Sequence, residues 1–226
     1  MTTAAAAHDP PPAPPRGLYA CGLKRAGDVV AATLLLVVLL PVMALVGLAV
    51  LIALGRPVLH VDRRAGRGGR PIRVWKFRSM REAFDAEGRP LPDAQRLGVF
   101  GRLLRRTSLD ELPQLFGVLT GDLSLVGPRP LPLRYVERYS PRQAGRLLVR
   151  PGLTGWAQIH GRNAVHWPER LEFDAQYVEI LGKWWAPAAD LWIMGLTVIQ
   201  IMGAALTGRG VSAPGSATME EFLPCH

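Results

Sequence analysis

Between Val29 and Leu54 the chain runs almost without a polar side chain, and no other feature narrows its possible folds as much. A single helix of that length crosses a hydrocarbon core of about 30 Å at about 1.5 Å per residue. Two details complicate a simple span. Pro41 sits near the middle of the run, where it removes a backbone donor and favours a kink. Lys24 and Arg25 precede the run and Arg56, Arg63 and Arg64 follow it, whereas a crossing helix should show basic residues mainly on one side. A helix–break–helix hairpin accommodates both facts. Its arms of roughly 13–16 residues would measure about 20–24 Å, too short to cross. The residues alone leave the spanning and re-entrant forms open.

The formal charge of +9 on 226 residues allows partners that carry nucleic-acid phosphate, anionic lipid or small phosphorylated ligands. Cys21 and Cys225 lie near opposite ends, so they form no disulfide framework or zinc pattern, and they fit a reducing compartment. The Ala- and Pro-rich start lacks a basic cluster ahead of an apolar core and does not read as a secretory leader. The expected organisation is a disordered arm at 1–17, an anchor at 18–58, a catalytic domain at 59–187, an apolar interfacial helix at 188–207 and a mobile tail at 208–226. The expected fold class is α/β, mainly α, with a strand over 71–77, a short helix over 99–105, another from Ser108 to Leu119, helical stretches over 131–139 and 143–148, and a helix over 167–181.

The sharpest polar constellation is Arg105-Arg106-Thr107-Ser108-Leu109-Asp110-Glu111. Ser108 with Glu111 three residues later has the form of a capping box, and acidic residues suit a first helical turn. The same stretch has a second reading. Two arginines beside a helix start form a phosphate receptor, and a carboxylate pair facing phosphate calls for a divalent cation with oxygen ligands, such as Mg2+. In Gly127-Pro128-Arg129-Pro130 two prolines hold Arg129 for an anion, or simply stiffen a loop. Arg162, on a glycine-containing loop, is a further ligand candidate. Trp156 reads as core, and His160 and His166 as incidental. No P-loop or dinucleotide fingerprint is present.

Five segments occur in order: the apolar run with Pro41, Lys76-Phe77-Arg78-Ser79-Met80, Ser108 to Leu115, Gly121 to Pro130, and Arg150-Pro151-Gly152-Leu153-Thr154-Gly155-Trp156. Together, over roughly Leu23 to Leu206, they resemble the bacterial sugar transferase family, in particular its small monotopic phosphoglycosyl transferases. The resemblance implies transfer of a sugar 1-phosphate from a UDP-sugar to polyprenol phosphate at the cytoplasmic face of the inner membrane, with Mg2+ at Asp110. It implies a re-entrant anchor bent at Pro41 and interfacial amphipathic helices. It implies Asp110 as nucleophile, Glu111 as its acidic partner, and Arg105, Arg129, Arg162, Lys76 and Arg78 at the substrate. Gly161-Arg162-Asn163-Ala164 with Trp167 looks most like members acting on acetamido sugars. Membrane lipid and later enzymes of the same glycan pathway are implied partners. The chain departs from the family pattern at Leu40, where serine is frequent, Asp62, where glutamine is usual, Leu97, where threonine is usual, and Gly117, where asparagine is common.

Two other classes compete on the residues alone. A membrane-tethered nucleic-acid binder fits the charge, but the arginines are interleaved with Gly and Pro turns and match no nucleic-acid module. A scaffold in which Asp110 and Glu111 merely cap a helix also fits.

Overall fold

The computed structural model describes residues 10–161, 166–207 and 222. A π-helical turn at Tyr19–Leu23 leads into α1, Lys24–Leu54, 31 residues that run helically through Pro41. The segment is thus not divided into two helices by a non-helical break. Proline withholds one backbone hydrogen bond, which permits a bend without ending the helix when packing holds both sides. That packing follows one face. Asp28, Ala32, Leu36, Met43, Val46 and Val50 are buried at three- and four-residue spacing, while Val30, Leu34, Val37, Val38, Leu45 and Ile52 face outward.

β1, Leu59–Ala65, and β2, Pro71–Phe77, form an antiparallel hairpin in register from Leu59↔Phe77 to Ala65↔Pro71. β2 matches the expected strand. β1 has no counterpart among the expected elements, because Arg63 interrupts the apolar positions Leu59, Val61 and Ala65 that alternate with His60, Asp62 and Arg64. α2, Asp93–Arg96, and α3, Val99–Arg106, follow an irregular stretch. Gly101 lets α3 press on the chain after β2, since a Cβ there would stand 1.9 Å from the carbonyl oxygen of Ser79.

The expected helix from Ser108 does not form as one piece. Leu109–Glu111 is a 3-10 turn, and α4 is Gln114–Thr120. Pro113 has no N–H to offer the carbonyl of Leu109, so the chain uses i→i+3 bonds such as Glu111 N to Ser108 O at 3.1 Å. The buried strand β3, Ser124–Val126, pairs in parallel with β4, Gly152–Thr154. Between them lie 3-10 turns at Leu133–Arg138 and Gly145–Leu148 and the short α5, Pro141–Ala144, which carries a true capping box between Ser140 and Gln143. α6, Trp156–Ile159, α7, Trp167–Leu181, and α8, Ala186–Thr207, complete a mainly helical fold with two small sheets.

The main core joins the buried stripe of α1 to Ile72, Val74, Phe77, Leu104, Leu115, Val118, Leu125, Tyr177 and Ile193. A second cluster unites Leu131, Tyr135, Leu171 and Phe222. Phe222 is the one described position of the tail, and it is buried there. At the other end Pro12 is buried, next to Gly145. Residues 1–9 and the rest of the tail lie outside the described residues.

A polar hub ties the two long helices to the domain. Lys24 Nζ lies 2.7 Å from Asp190, which also accepts from the hydroxyls of Tyr19 at 2.6 Å and Tyr177 at 2.8 Å. Asp28 accepts from the Ser124 hydroxyl at 2.7 Å and from Leu125 N at 3.2 Å. α8 turns Leu191, Trp192, Val198, Ile199, Met202 and Leu206 outward. Two segments, Tyr19–Leu54 and Ala186–Leu206, are long and apolar enough to cross a membrane.

Candidate active site

The 3-10 turn after α3 presents Asp110 and Glu111 side by side. The turn is entered through Ser108, whose φ of 56° makes it the one non-glycine residue with positive φ among the described residues. Its side chain makes no capping bond, so the capping-box reading of Ser108 and Glu111 is incorrect. A left-handed non-glycine residue costs about 1–3 kcal/mol and persists where the surroundings fix it. Here it reverses the chain and points both acids toward β2.

Glu111 lies between two cations. Its Oε1 accepts from Arg129 Nη2 at 2.9 Å and from Lys76 Nζ at 3.3 Å. Burial works against the charge of Glu111, but Arg129 and Lys76 outweigh it and hold the pKa down at about 2. Asp110, 7% exposed, has no hydrogen bond or ion pair to its carboxylate among the described residues. Burial and the neighbouring charge of Glu111 raise its pKa to about 6, against the pull of Lys76, Arg105 and Arg129. The expectation that a helix start would favour its ionised form is therefore reversed: a three-residue turn offers little dipole, and desolvation dominates. Arg105, at the end of α3, donates to Ser79 Oγ at 3.0 Å and acts electrostatically on Asp110.

Four expected residues thus converge with Asp110: Lys76 from β2, Arg105 from α3, Glu111 from the turn and Arg129 from the Pro128–Pro130 loop. Arg78 does not join them. Its guanidinium donates to the carbonyls of Leu54, Gly55 and Arg56, capping the end of α1. β2 ends at Phe77, so the alternation that would have put Arg78 on the face of Lys76 stops one residue short. Arg162 lies outside the described residues. His160 stacks on Phe173 with ring centroids 4.8 Å apart, in keeping with a packing role.

Sequence reasoning overlooked what stands behind Arg129. Arg146, 4% exposed, donates Nη2 to the carbonyl of Arg129 at 2.5 Å and Nη1 to the Tyr139 hydroxyl at 3.1 Å. Asp174 of α7 pairs with it at 3.0 Å. Burial lifts the Asp174 pKa to about 6 although Arg146 and Arg170 pull it down. One arginine among 27 basic residues carries no local signal of this kind.

Among the described residues no group of three or more His, Cys, Asp or Glu side chains is positioned to hold an ion. An unpaired carboxylate beside a second one offers the one or two oxygens that Mg2+ takes from proteins, the rest coming from water and substrate phosphate.

A family model described as bacterial sugar transferase matches residues 19–204, which include the whole of this cluster. The chain belongs to the bacterial sugar transferase family. It is 44% identical over 204 residues to the uncharacterized sugar transferase EpsL of Bacillus subtilis, covering 88% of this chain and 95% of that protein. It is 42% identical over 188 residues to the UDP-glucose:undecaprenyl-phosphate glucose-1-phosphate transferase of Escherichia coli, covering 79% of this chain and 40% of the relative. A third relative, the UDP-N-acetylgalactosamine-undecaprenyl-phosphate N-acetylgalactosaminephosphotransferase of Aeromonas hydrophila, is 33% identical over 202 residues, 87% of this chain and 46% of its own length. The chain thus spans nearly all of the Bacillus protein and less than half of the other two. The expected family and enzyme class agree with these matches.

Proposed function

We propose that this chain moves a sugar 1-phosphate from a UDP-sugar to polyprenol phosphate in two steps, through a phosphosugar held covalently on Asp110. The observation that carries this reading is a buried carboxylate that has no partner among the described residues and feels the charges of Lys76, Arg105 and Arg129. The cations offset phosphate charge and let one anion approach another. An Asp110 oxygen attacks the sugar-linked phosphorus, the bond to the bridging oxygen breaks, and its electron pair leaves on UMP. An oxygen of polyprenol phosphate then attacks the same phosphorus and releases the Asp110 carboxylate. Mg2+ at Asp110, completed by donor phosphate oxygens, would supply further charge neutralisation. Glu111, held ionised by Arg129 and Lys76, is a weak proton acceptor, and its work is to fix those two cations.

The anchor is read as re-entrant, with the catalytic domain on the cytoplasmic face where soluble UDP-sugars are found. Arg25, at the start of α1, donates to the carbonyls of Val118 and Leu119, and Arg78 caps its end. Both ends are therefore fastened to the same polar domain, whereas the ends of a spanning helix would face opposite sides. The acetamido preference rests on 161–164 and Trp167, and relatives are named for glucose as well as N-acetylgalactosamine, so a donor panel must contain both.

The test is UMP release from that panel by membranes containing the protein, with and without magnesium. Intact-mass analysis after exposure to donor alone should show an added sugar phosphate on wild type and none on Asp110→Asn. A magnesium-independent reaction would remove the metal from the scheme. Turnover with no adduct at any time, or an adduct that survives in Asp110→Asn, would remove the covalent step.

A further inference from the structure

β1 contributes a residue that the scheme above does not use. Arg64 lines a cavity with Val74, Lys76, Gln114, Arg129 and Pro130, next to Glu111, and this cavity leaves about 280 Å³ free of protein atoms, part of it open to solvent. Three cations converge on it from β1, β2 and the Pro128–Pro130 loop. Gln114, the first residue of α4, is 3% exposed, lines the same cavity and has no side-chain hydrogen bond among the described residues. Its amide is not among the fully enclosed polar atoms that lack a partner, so it opens on the cavity, where a ligand can take the place of solvent. Arg64 is held meanwhile by Asp62 at 2.8 Å, a carboxylate kept ionised by Arg64 and Lys76 despite its burial.

Arg64 and Arg105 serve different ends of the cluster. Arg105 acts on Asp110, together with Lys76 and Arg129, while Arg64 lines the cavity from β1 alongside the same Lys76 and Arg129. Lys76 and Arg129 are common to both places. A diphosphate with one phosphate at Asp110 would reach the cavity lined by Arg64 along these two shared cations.

We propose that this cavity is a second phosphate subsite, where Arg64 and the Gln114 amide, with Lys76 and Arg129, receive the phosphate that leaves with the nucleoside. As the bridging bond breaks, the departing oxygen gains charge, and Arg64 exchanges Asp62 for that phosphate. The inference rests on the phosphosugar-transfer reading and adds Arg64 and Gln114 to it.

The experiment measures inhibition by UMP and, separately, by a sugar 1-phosphate, in wild type, Arg64→Gln, Arg64→Lys and Gln114→Met, all membrane-bound and checked for helix content. UMP inhibition should weaken at least tenfold in Arg64→Gln, about 1.4 kcal/mol. It should weaken less in Arg64→Lys and several-fold in Gln114→Met, with sugar 1-phosphate inhibition unchanged throughout. If Arg64→Gln does not fold, the other two variants carry the same comparison. Unchanged UMP inhibition in an enzyme that releases UMP normally would overturn the subsite alone, and so would an equal loss for both inhibitors. No UMP release from any UDP-sugar by wild type would overturn the underlying reading, and the subsite with it.

Discussion

The hub that ties α1 and α8 to the domain and the cluster around Asp110 are built from similar materials and finished differently. In the hub, each carboxylate oxygen of Asp28 and Asp190 meets a hydroxyl, a backbone N–H or Lys24. Around Asp110, one oxygen of Glu111 takes both Arg129 and Lys76, while Asp110 takes nothing and Gln114 is unbonded among the described residues. The buried pair of Arg146 and Asp174 stands between these cases, with one Asp174 oxygen engaged and the other left without a partner. A completed network fixes a geometry. An incomplete one keeps unmet charge and hydrogen-bonding capacity for something the chain does not itself supply. The contrast separates a fully paired carboxylate from one without a partner where burial alone cannot, since Asp110 and Asp190 are 7% and 3% exposed.

The largest expected effect breaks the comparison at its reactive end. Asp110→Asn should lower turnover by about 10⁴-fold or more, the scale on which a nucleophile acts. It should also raise stability at pH 7. Between 3.8 and about 6 the folded state keeps a proton that the unfolded state has lost, so wild-type stability falls as pH rises through that window. Removing the unpaired charge should return about 1–3 kcal/mol. Activity and denaturant midpoints measured on the same preparation check both signs, and a destabilised Asp110→Asn would contradict the account.

At the completed end the pattern inverts. Among the described residues, Asp190→Ala leaves Lys24 with Asp28 at 3.8 Å, takes the carboxylate from the Tyr19 hydroxyl and leaves the Tyr177 hydroxyl with the Val126 carbonyl alone. The cost should be about 3–5 kcal/mol, read as a lower unfolding midpoint in lipid nanodiscs. Turnover per folded molecule should change little. A catalytic loss larger than the folding loss would mean that the hub reaches the site.

Arg146 sharpens the middle case. Arg146→Met should cut turnover about tenfold by freeing the carbonyl of Arg129, and should destabilise because Asp174 loses its ion pair. The double variant Arg146→Met with Asp174→Leu should regain most of the stability, since no buried charge is orphaned, without regaining turnover. Recovery of both would reduce the pair to packing.

The smallest effect is a shift in pH dependence. Asp110 must be ionised to attack, so activity should decline as pH falls through about 6. In Glu111→Gln the like charge is gone and Lys76 and Arg129 are free to face Asp110, so that limb should move to lower pH. A residual-activity profile of the variant decides it, and an upward shift would contradict the assignment.

Where the signal is local, the chain could be read without coordinates. β2 at Pro71–Phe77, the short α3 and α7 at Trp167–Leu181 follow from apolar spacing within one element. Asp110, Glu111, Arg105, Lys76 and Arg129 were identifiable because they sit in motifs. Their grouping was not, since it depends on β2, α3 and two loops meeting. Arg64 stood out only as one of the basic residues after the apolar run, and it reaches the cavity beside Lys76 because β1 pairs with β2. Arg78 looked like a partner of Lys76, but the strand ends before it and the carbonyls of Leu54 to Arg56 claim it.

By itself the sequence determined the apolar helix, the order of motifs and the residue types available for chemistry, because periodicity, proline and charge act within a few residues of each other. The tertiary structure alone decided that Ser108 turns left-handed instead of capping a helix, that Asp110 is buried without a partner among the described residues, and that Arg146 stands behind Arg129. Burial and pairing are set by which distant segments come to lie against a side chain. Those contacts fix whether a carboxylate is paired, as at Asp190, or left without a partner among the described residues, as at Asp110.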